Sequence, residues 1–134
     1  MKVEVEQNYY TETLLKNNPN KIYIFGDNLL RYGTGGQATI RFEENSRGIV
    51  TKKEPKNNPG SFFTDDDYDE FEYHVKRDIK HILNESDKYT IVFPKDGIGT
   101  GLANLKNGAP KCYTFLKEIL LEKFGFDNDT GELI

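Results

Sequence analysis

Tryptophan is missing from this chain of 134 residues, and cysteine and methionine occur once each. The lone cysteine, Cys112, can form neither an intrachain disulfide nor a cysteine-based zinc site, so nothing calls for an oxidising compartment. Long apolar runs are also missing. The N-terminus alternates valine with glutamate, Val3-Glu4-Val5-Glu6, which suits neither a membrane span nor a secretory signal, and the expectation is a cytoplasmic protein. Positive charge is in deficit: 18 Lys and Arg stand against 22 Asp and Glu, for a formal net charge of −4 and a pI near 5.2. That balance supplies no overall attraction to a polyanion and excludes a general nucleic-acid surface, leaving room for a local basic pocket.

Aromatic residues are plentiful. Eight Tyr and nine Phe give the chain a core-forming content that disordered segments lack. The length fits one domain spanning 1–134, with no internal repeat and no linker.

Hydrophobic periodicity places the elements. Lys2 to Gln7 suits an edge strand, and Thr11 to Asn17 a short helix stopped by Asn18-Pro19-Asn20. Ile22-Tyr23-Ile24-Phe25 is a continuous apolar run ending at Gly26, as expected of a strand buried on both faces. A helix is expected from Gly36 to about Asn45, a short strand at Ile49-Val50, and a loop from Glu54 to Ser61. Thr64 and Asp65 offer caps for the longest helix, whose stripe is Tyr68, Phe71, Val75, Ile79, Ile82 and Leu83. Tyr89 to Phe93 reads as a second buried strand. Ala109-Pro110 opens a final helix, with Tyr113, Leu116, Leu120 and Phe124 on one face and Gly125 as its stop, before a tail that is a loose end or an edge strand. Strands alternating with helices imply an α/β fold with a mostly parallel, mixed sheet flanked by helices, in which ligands collect beyond the strand C-termini.

Two glycine-rich segments fall at that rim. Gly33-Thr34-Gly35-Gly36-Gln37 follows the first buried strand, and Gly97-Ile98-Gly99-Thr100-Gly101-Leu102 follows the second. Glycines this dense let the backbone approach a ligand and aim successive N–H groups at an anion. Either loop alone could be a passive turn. Two at one sheet edge point to a phosphate site, sized for a diphosphate lying between them, with the Thr100 hydroxyl as an added donor.

Polar residues flank the loops. Asp27 and Asn28 can take ribose hydroxyls or a base amino group, or else form an Asx-turn at the strand end. Arg31, Arg41, Lys52, Lys53 and Lys95 are candidates to neutralise phosphate, against the ordinary reading of solvated surface charge. Chemistry is thinly supported. Cys112 sits beside the apolar face of the last helix as a packed thiol, and His74 and His81 share a helix face without a third metal ligand. No metal and no cofactor is expected. A general base, if the site has one, would be Asp27 or Asp96.

The order of these motifs resembles the macrodomain, an ADP-ribose-binding α/β fold. The likeness is closest to compact, divergent macrodomain-like proteins of bacteria and phages, and rests on Phe25-Gly26-Asp27-Asn28-Leu29, Gly35-Gly36-Gln37-Ala38, Gly48-Ile49-Val50-Thr51-Lys52 and Phe93 through Leu102. It covers about residues 21–124 and implies a three-layer fold. It also implies that Asn28 contacts the distal ribose, that Gly33 to Gln37 wrap that ribose and its phosphate, and that Gly97 to Gly101 hold the diphosphate. By the same likeness Gly26, Thr51 and Lys52 fall at the ligand. The Gly-Asp-Ile segment that reads adenine in macrodomains does not occur before Ile22, so the resemblance assigns the base no reader. The implied partners are ADP-ribose or a related nucleotide, free or carried on an ADP-ribosylated macromolecule. The implied activity is either hydrolysis of an ADP-ribose phosphate or ADP-ribosyl linkage, with Asn28 or Asp27 orienting ribose or water, or binding alone, as a sensor or sponge of NAD-derived signals.

Overall fold

The computed structural model describes residues 1–134. Its elements run β1 (Val3–Glu6), α1 (Glu12–Lys16), β2 (Lys21–Asn28), β3 (Ser46–Lys52), α2 (Tyr68–Glu85), β4 (Thr90–Pro94), α3 (Leu105–Gly108), α4 (Pro110–Phe124), β5 (Phe126–Asp127) and β6 (Glu132–Leu133). The first four strands form one sheet in the order β1-β4-β2-β3, every neighbouring pair parallel. The main sheet is therefore wholly parallel rather than mixed. Its connections are helical or long, as parallel pairing demands.

Both faces are covered, because the central strands are apolar on both sides. Ile22, Ile24, Ile49, Ile91 and Phe93 pack against Phe71, Val75, Ile79 and Ile82 of α2 and Leu116, Leu120 and Phe124 of α4. On the opposite face, Tyr23, Phe25 and Val92 meet Tyr10, Leu15, Ala38 and Ile40. Cys112 is wholly buried in the larger core, and burial pushes its thiol up to about 11. No helix is long and apolar enough to cross a membrane.

Local signals set most boundaries. Thr64 and Asp67 form a capping box over a 3-10 turn at Asp65–Asp67 that leads into α2. Pro110 starts α4, and Gly125, at φ 67°, ends it in the left-handed conformation. Two expectations are corrected. Between Gly36 and Asn45 there is only a 3-10 turn, Gly36–Ile40, because Phe42 finds no core and the Asn45 side chain donates to the carbonyls of Leu15, Asn18 and Lys21. The strand expected at Ile49-Val50 extends from Ser46 to Lys52.

The tail is an antiparallel hairpin of β5 and β6. Phe126 stacks on Phe93, ring centres 4.6 Å apart. Asp129 then locks the hairpin: it accepts from the Tyr113 hydroxyl and pairs with Lys117 at 2.6 Å and Lys106 at 3.6 Å. Hydrogen bonds from Lys117 and Tyr113 hold the Asp129 carboxyl down at about 2, from an ordinary 3.8. A depressed carboxylate contributes stability above its unfolded value and loses it as pH falls through the folded one. Asp129→Asn should therefore be less stable than wild type at pH 6, and the gap should close between about pH 4 and about pH 2 in urea titrations. A gap that persists unchanged at pH 2 would refute this role for Asp129.

Candidate functional site

The paired register of β2 and β4 ends at Tyr23 and Val92, and side chains take over from the ladder beyond it. The buried Tyr10 hydroxyl donates to the Ile24 carbonyl at 2.8 Å, with the Val92 carbonyl at 3.4 Å. Further out, Gln37 spans the gap: its Oε1 accepts from the Gly26 N–H at 3.0 Å and its Nε2 donates to the Gly97 carbonyl at 2.8 Å. On the other side of β2, the register with β3 slips between Asp27 and Asn28, which pair with Val50 and Lys52. Such a bulge re-aims side chains, and here Thr51 and Lys52 both line a cleft of about 270 Å³ above the strand ends.

The two glycine loops form facing walls of this cleft. A Cβ on Gly35 would stand 4.0 Å from Leu102 Cδ1 across it. No backbone N–H from Tyr32 to Gln37, or from Gly99 to Ala103, has an acceptor in the protein. Their carbonyls, by contrast, are largely tied. Arg41 Nε donates to the Gly33 carbonyl at 2.7 Å, and Asn28 Nδ2 to that of Tyr32 at 2.8 Å. The Gly99 and Gly101 carbonyls accept from the N–H groups of Leu105 and Asn104 at 3.1 and 3.0 Å. In a trans peptide the carbonyl and the following N–H point in opposite directions. Tying the Gly99 and Gly101 carbonyls back to the α3 end therefore turns the N–H groups of Thr100 and Leu102 away from it.

Charge is distributed unequally. Asp27, buried, is held by Arg41 Nη2 at 2.6 Å and Arg31 Nη1 at 3.3 Å. Arg31 reaches on to Asp78 of α2 at 2.7 Å, and Asp78 accepts from the Val50 N–H at 2.9 Å. Two acids and two arginines thus balance within the fold. Lys52 has no such partner. It is 8% exposed, its Nζ lies 4.7 Å from the centre of the Phe62 ring, and burial alone lowers its pKa. Cation–π contact offsets part of that desolvation. An anion in the cleft would offset more.

Most of the expected residues meet in this cleft: Gly26, Asp27, Asn28, Gly33, Gly35, Gly36, Gln37, Thr51, Lys52, Gly99, Thr100, Gly101 and Leu102. Others do not. Asp96 and Lys95 are exposed beside a second depression of about 280 Å³ bordered by Asn8 and Tyr9, on the far side of Gln37. Asp96 is therefore not placed as a base for the cleft. Nor is Asp27, whose oxygens are taken by two guanidinium groups. Arg31 bridges Asp27 and Asp78 outside the lining, and Thr34 is exposed outside it as well. The Thr100 hydroxyl donates to its own loop, at the Asp96 carbonyl, 2.8 Å away. Asn28 makes the Asx-turn, accepting from the Leu30 N–H at 3.0 Å. Ile98 is core, and Gly97 lies beneath the loop. Sequence reasoning missed Tyr32, Ala38, Pro55 and Ala103 on the cleft wall. Nearness to the glycines could have suggested Tyr32, Ala38 and Ala103, whereas Pro55 reaches the wall only through the fold, where a Cβ on Gly33 would stand 3.0 Å from it.

A family of unknown function, DUF7831, matches residues 5–119. The chain belongs to DUF7831. Neither a curated protein nor a solved structure matches it. The matched span of this DUF7831 chain holds both glycine loops, the Asp27–Arg41 pair and Lys52. Breaking that pair leaves a buried guanidinium uncompensated, a loss typically worth about 3 kcal/mol. Asp27→Asn should accordingly cost about that much in urea unfolding, and the double variant with Arg41→Gln should cost less than the sum of the two singles. Additive losses would show that the pair does not anchor the first loop.

Proposed function

We infer that the cleft binds a nucleotide through its diphosphate, a ligand of the ADP-ribose kind, and that it holds this ligand without cleaving it. The observation that carries this reading is the combination of unpaired amides on two facing loops with a buried lysine that no acid neutralises. A phosphate chain meets both needs. Its oxygens accept from amides that have no other acceptor, and its charge gives Lys52 a counter-ion. The volume is just under the usual range of small-molecule pockets, about 300–1,000 Å³. That suits enclosure of the diphosphate and an adjoining ribose, with the remainder of the nucleotide against the rim, where Tyr32 and Leu102 are exposed.

Holding rather than cleaving is supported by the acids. A general base needs a free lone pair within reach of the reacting water. Asp27 is the one acid on the cleft wall, and both its oxygens face arginine. In this reading the protein is a sensor or sponge for a nucleotide, or a reader of ADP-ribosylated macromolecules.

Calorimetry and thermal shift with ADP-ribose test it. Wild type should be stabilised by ligand in proportion to ln(1 + [L]/Kd). Lys52→Met should weaken binding by at least about tenfold while raising Tm of the free protein, because it removes an unpaired buried charge. Gly101→Val, at a position where a Cβ would meet open space, should fold normally and fail to bind. No stabilisation by any diphosphate nucleotide would end the proposal. Turnover of ADP-ribose-1″-phosphate would overturn the holding half of it.

A further inference from the structure

The second glycine loop is held from below by a segment outside the family-matched span. Asn128, in the hairpin between β5 and β6, is 1% exposed. Its Oδ1 accepts from the Ile98 N–H at 2.8 Å, and its Nδ2 donates to the Ile98 carbonyl at 3.0 Å and to the Tyr113 hydroxyl at 3.3 Å. Every polar atom of this side chain is thus committed. The fit is close on the backbone side too. A Cβ on Gly97, where φ is 75°, would stand 2.5 Å from the Asn128 carbonyl oxygen, and one on Gly131 would stand 1.9 Å from that of Lys95.

Two consecutive peptide planes are fixed by these bonds. The Gly97–Ile98 plane has its N–H on Asn128 and its carbonyl on Gln37 Nε2. The next plane, Ile98–Gly99, has its carbonyl on Asn128, so its N–H, that of Gly99, must point the other way. That N–H has no acceptor in the protein. It lies 3.5 Å from where a Cβ on Gly26 would stand, on the cleft side. Gly99 has φ 74°, and with no side chain this plane has little of its own to resist rotation. Rotated by half a turn, it would present a carbonyl where a phosphate is to bind.

We propose that the C-terminal hairpin is the positioning element of the second glycine loop, with Asn128 as the positioning residue that keeps the Ile98–Gly99 peptide turned so that its N–H faces the ligand. Asp129 holds the hairpin in place through Tyr113, Lys117 and Lys106, the last of these on α3 just beyond the same loop. Hairpin, loop and α3 therefore form one braced unit. The role rests on the nucleotide-binding reading only for its effect on affinity. The orientation of the loop amides stands on the structure of the free chain.

The test uses the full chain in three forms beside wild type: Asn128→Ala, Asn128→Asp, which keeps the acceptor and loses the donor, and Val75→Ala, which opens a cavity in the α2 core and touches none of the hydrogen bonds of the loop. Amide NMR of the free proteins should show the Gly99 and Thr100 resonances moved in both Asn128 variants and unmoved in Val75→Ala. ADP-ribose affinity, measured well below each Tm, should fall at least tenfold in both Asn128 variants and stay within twofold of wild type in Val75→Ala. If Asn128→Ala does not fold, Asn128→Asp decides both readouts. Loop amides that do not move, or Asn128 variants that bind as tightly as wild type, would overturn the positioning role. A wild type that ignores ADP-ribose would instead overturn the nucleotide reading, and the loop amides alone would then decide the proposal.

Discussion

The site depends on one constraint, the opposed directions of carbonyl and N–H in a trans peptide. A loop offers its amides to an anion most firmly when something else takes its carbonyls, because a carbonyl that turns toward the anion repels what the amide attracts. Here the tying groups are diverse: Arg41 and Asn28 for the first loop, Gln37, Asn128 and the start of α3 for the second. Glycine makes such loops conformationally permissive. The tying groups are what remove the choice.

This view changes the meaning of the polar residues around the cleft. Asp27, Asn28 and Arg41 look like ligand contacts in the sequence, yet they are spent on the loop itself. Asp27 fixes Arg41, Arg41 fixes Gly33, and Asn28 fixes Tyr32. Gly48 belongs to the same device, since a Cβ there would stand 2.5 Å from Asp27 Oδ2. The balanced pairs Asp27–Arg41 and Arg31–Asp78 add structure without adding net field. Lys52 is then the residue whose charge the cleft retains, and it comes from a bulge at the end of β3 whose last residues line the cleft.

The strands, the long helices and both glycine loops were legible because each has a local signature: continuous apolar runs, a 3.6-residue stripe, a Thr and Pro at helix starts, glycines after buried strands. What was not legible is nonlocal. The helix expected after Gly36 yields to Asn45, whose amide is claimed by three carbonyls from the α1–β2 turn, a competition invisible in the residues near it. Asp27 looks like a free carboxylate until Arg41, fourteen positions on, folds back to it. The role of Asn128 was the least legible, because thirty residues separate it from Ile98 and the tail has neither periodicity nor glycine density.

The division of labour between span and tail follows from the same geometry. Residues 5–119 contain both walls of the cleft and the lysine beneath them, but not the group that takes the Ile98 carbonyl. A member of the family that keeps the Gly97-Ile98-Gly99 pattern still has that carbonyl to satisfy, since burial of an unpaired carbonyl costs about as much as a lost hydrogen bond. It must supply a donor at the same place, from a tail or from elsewhere, or leave the peptide free to rotate. If the cleft binds phosphate as proposed, affinity should vary among members with the donor beneath the second loop, even where both glycine loops are kept intact.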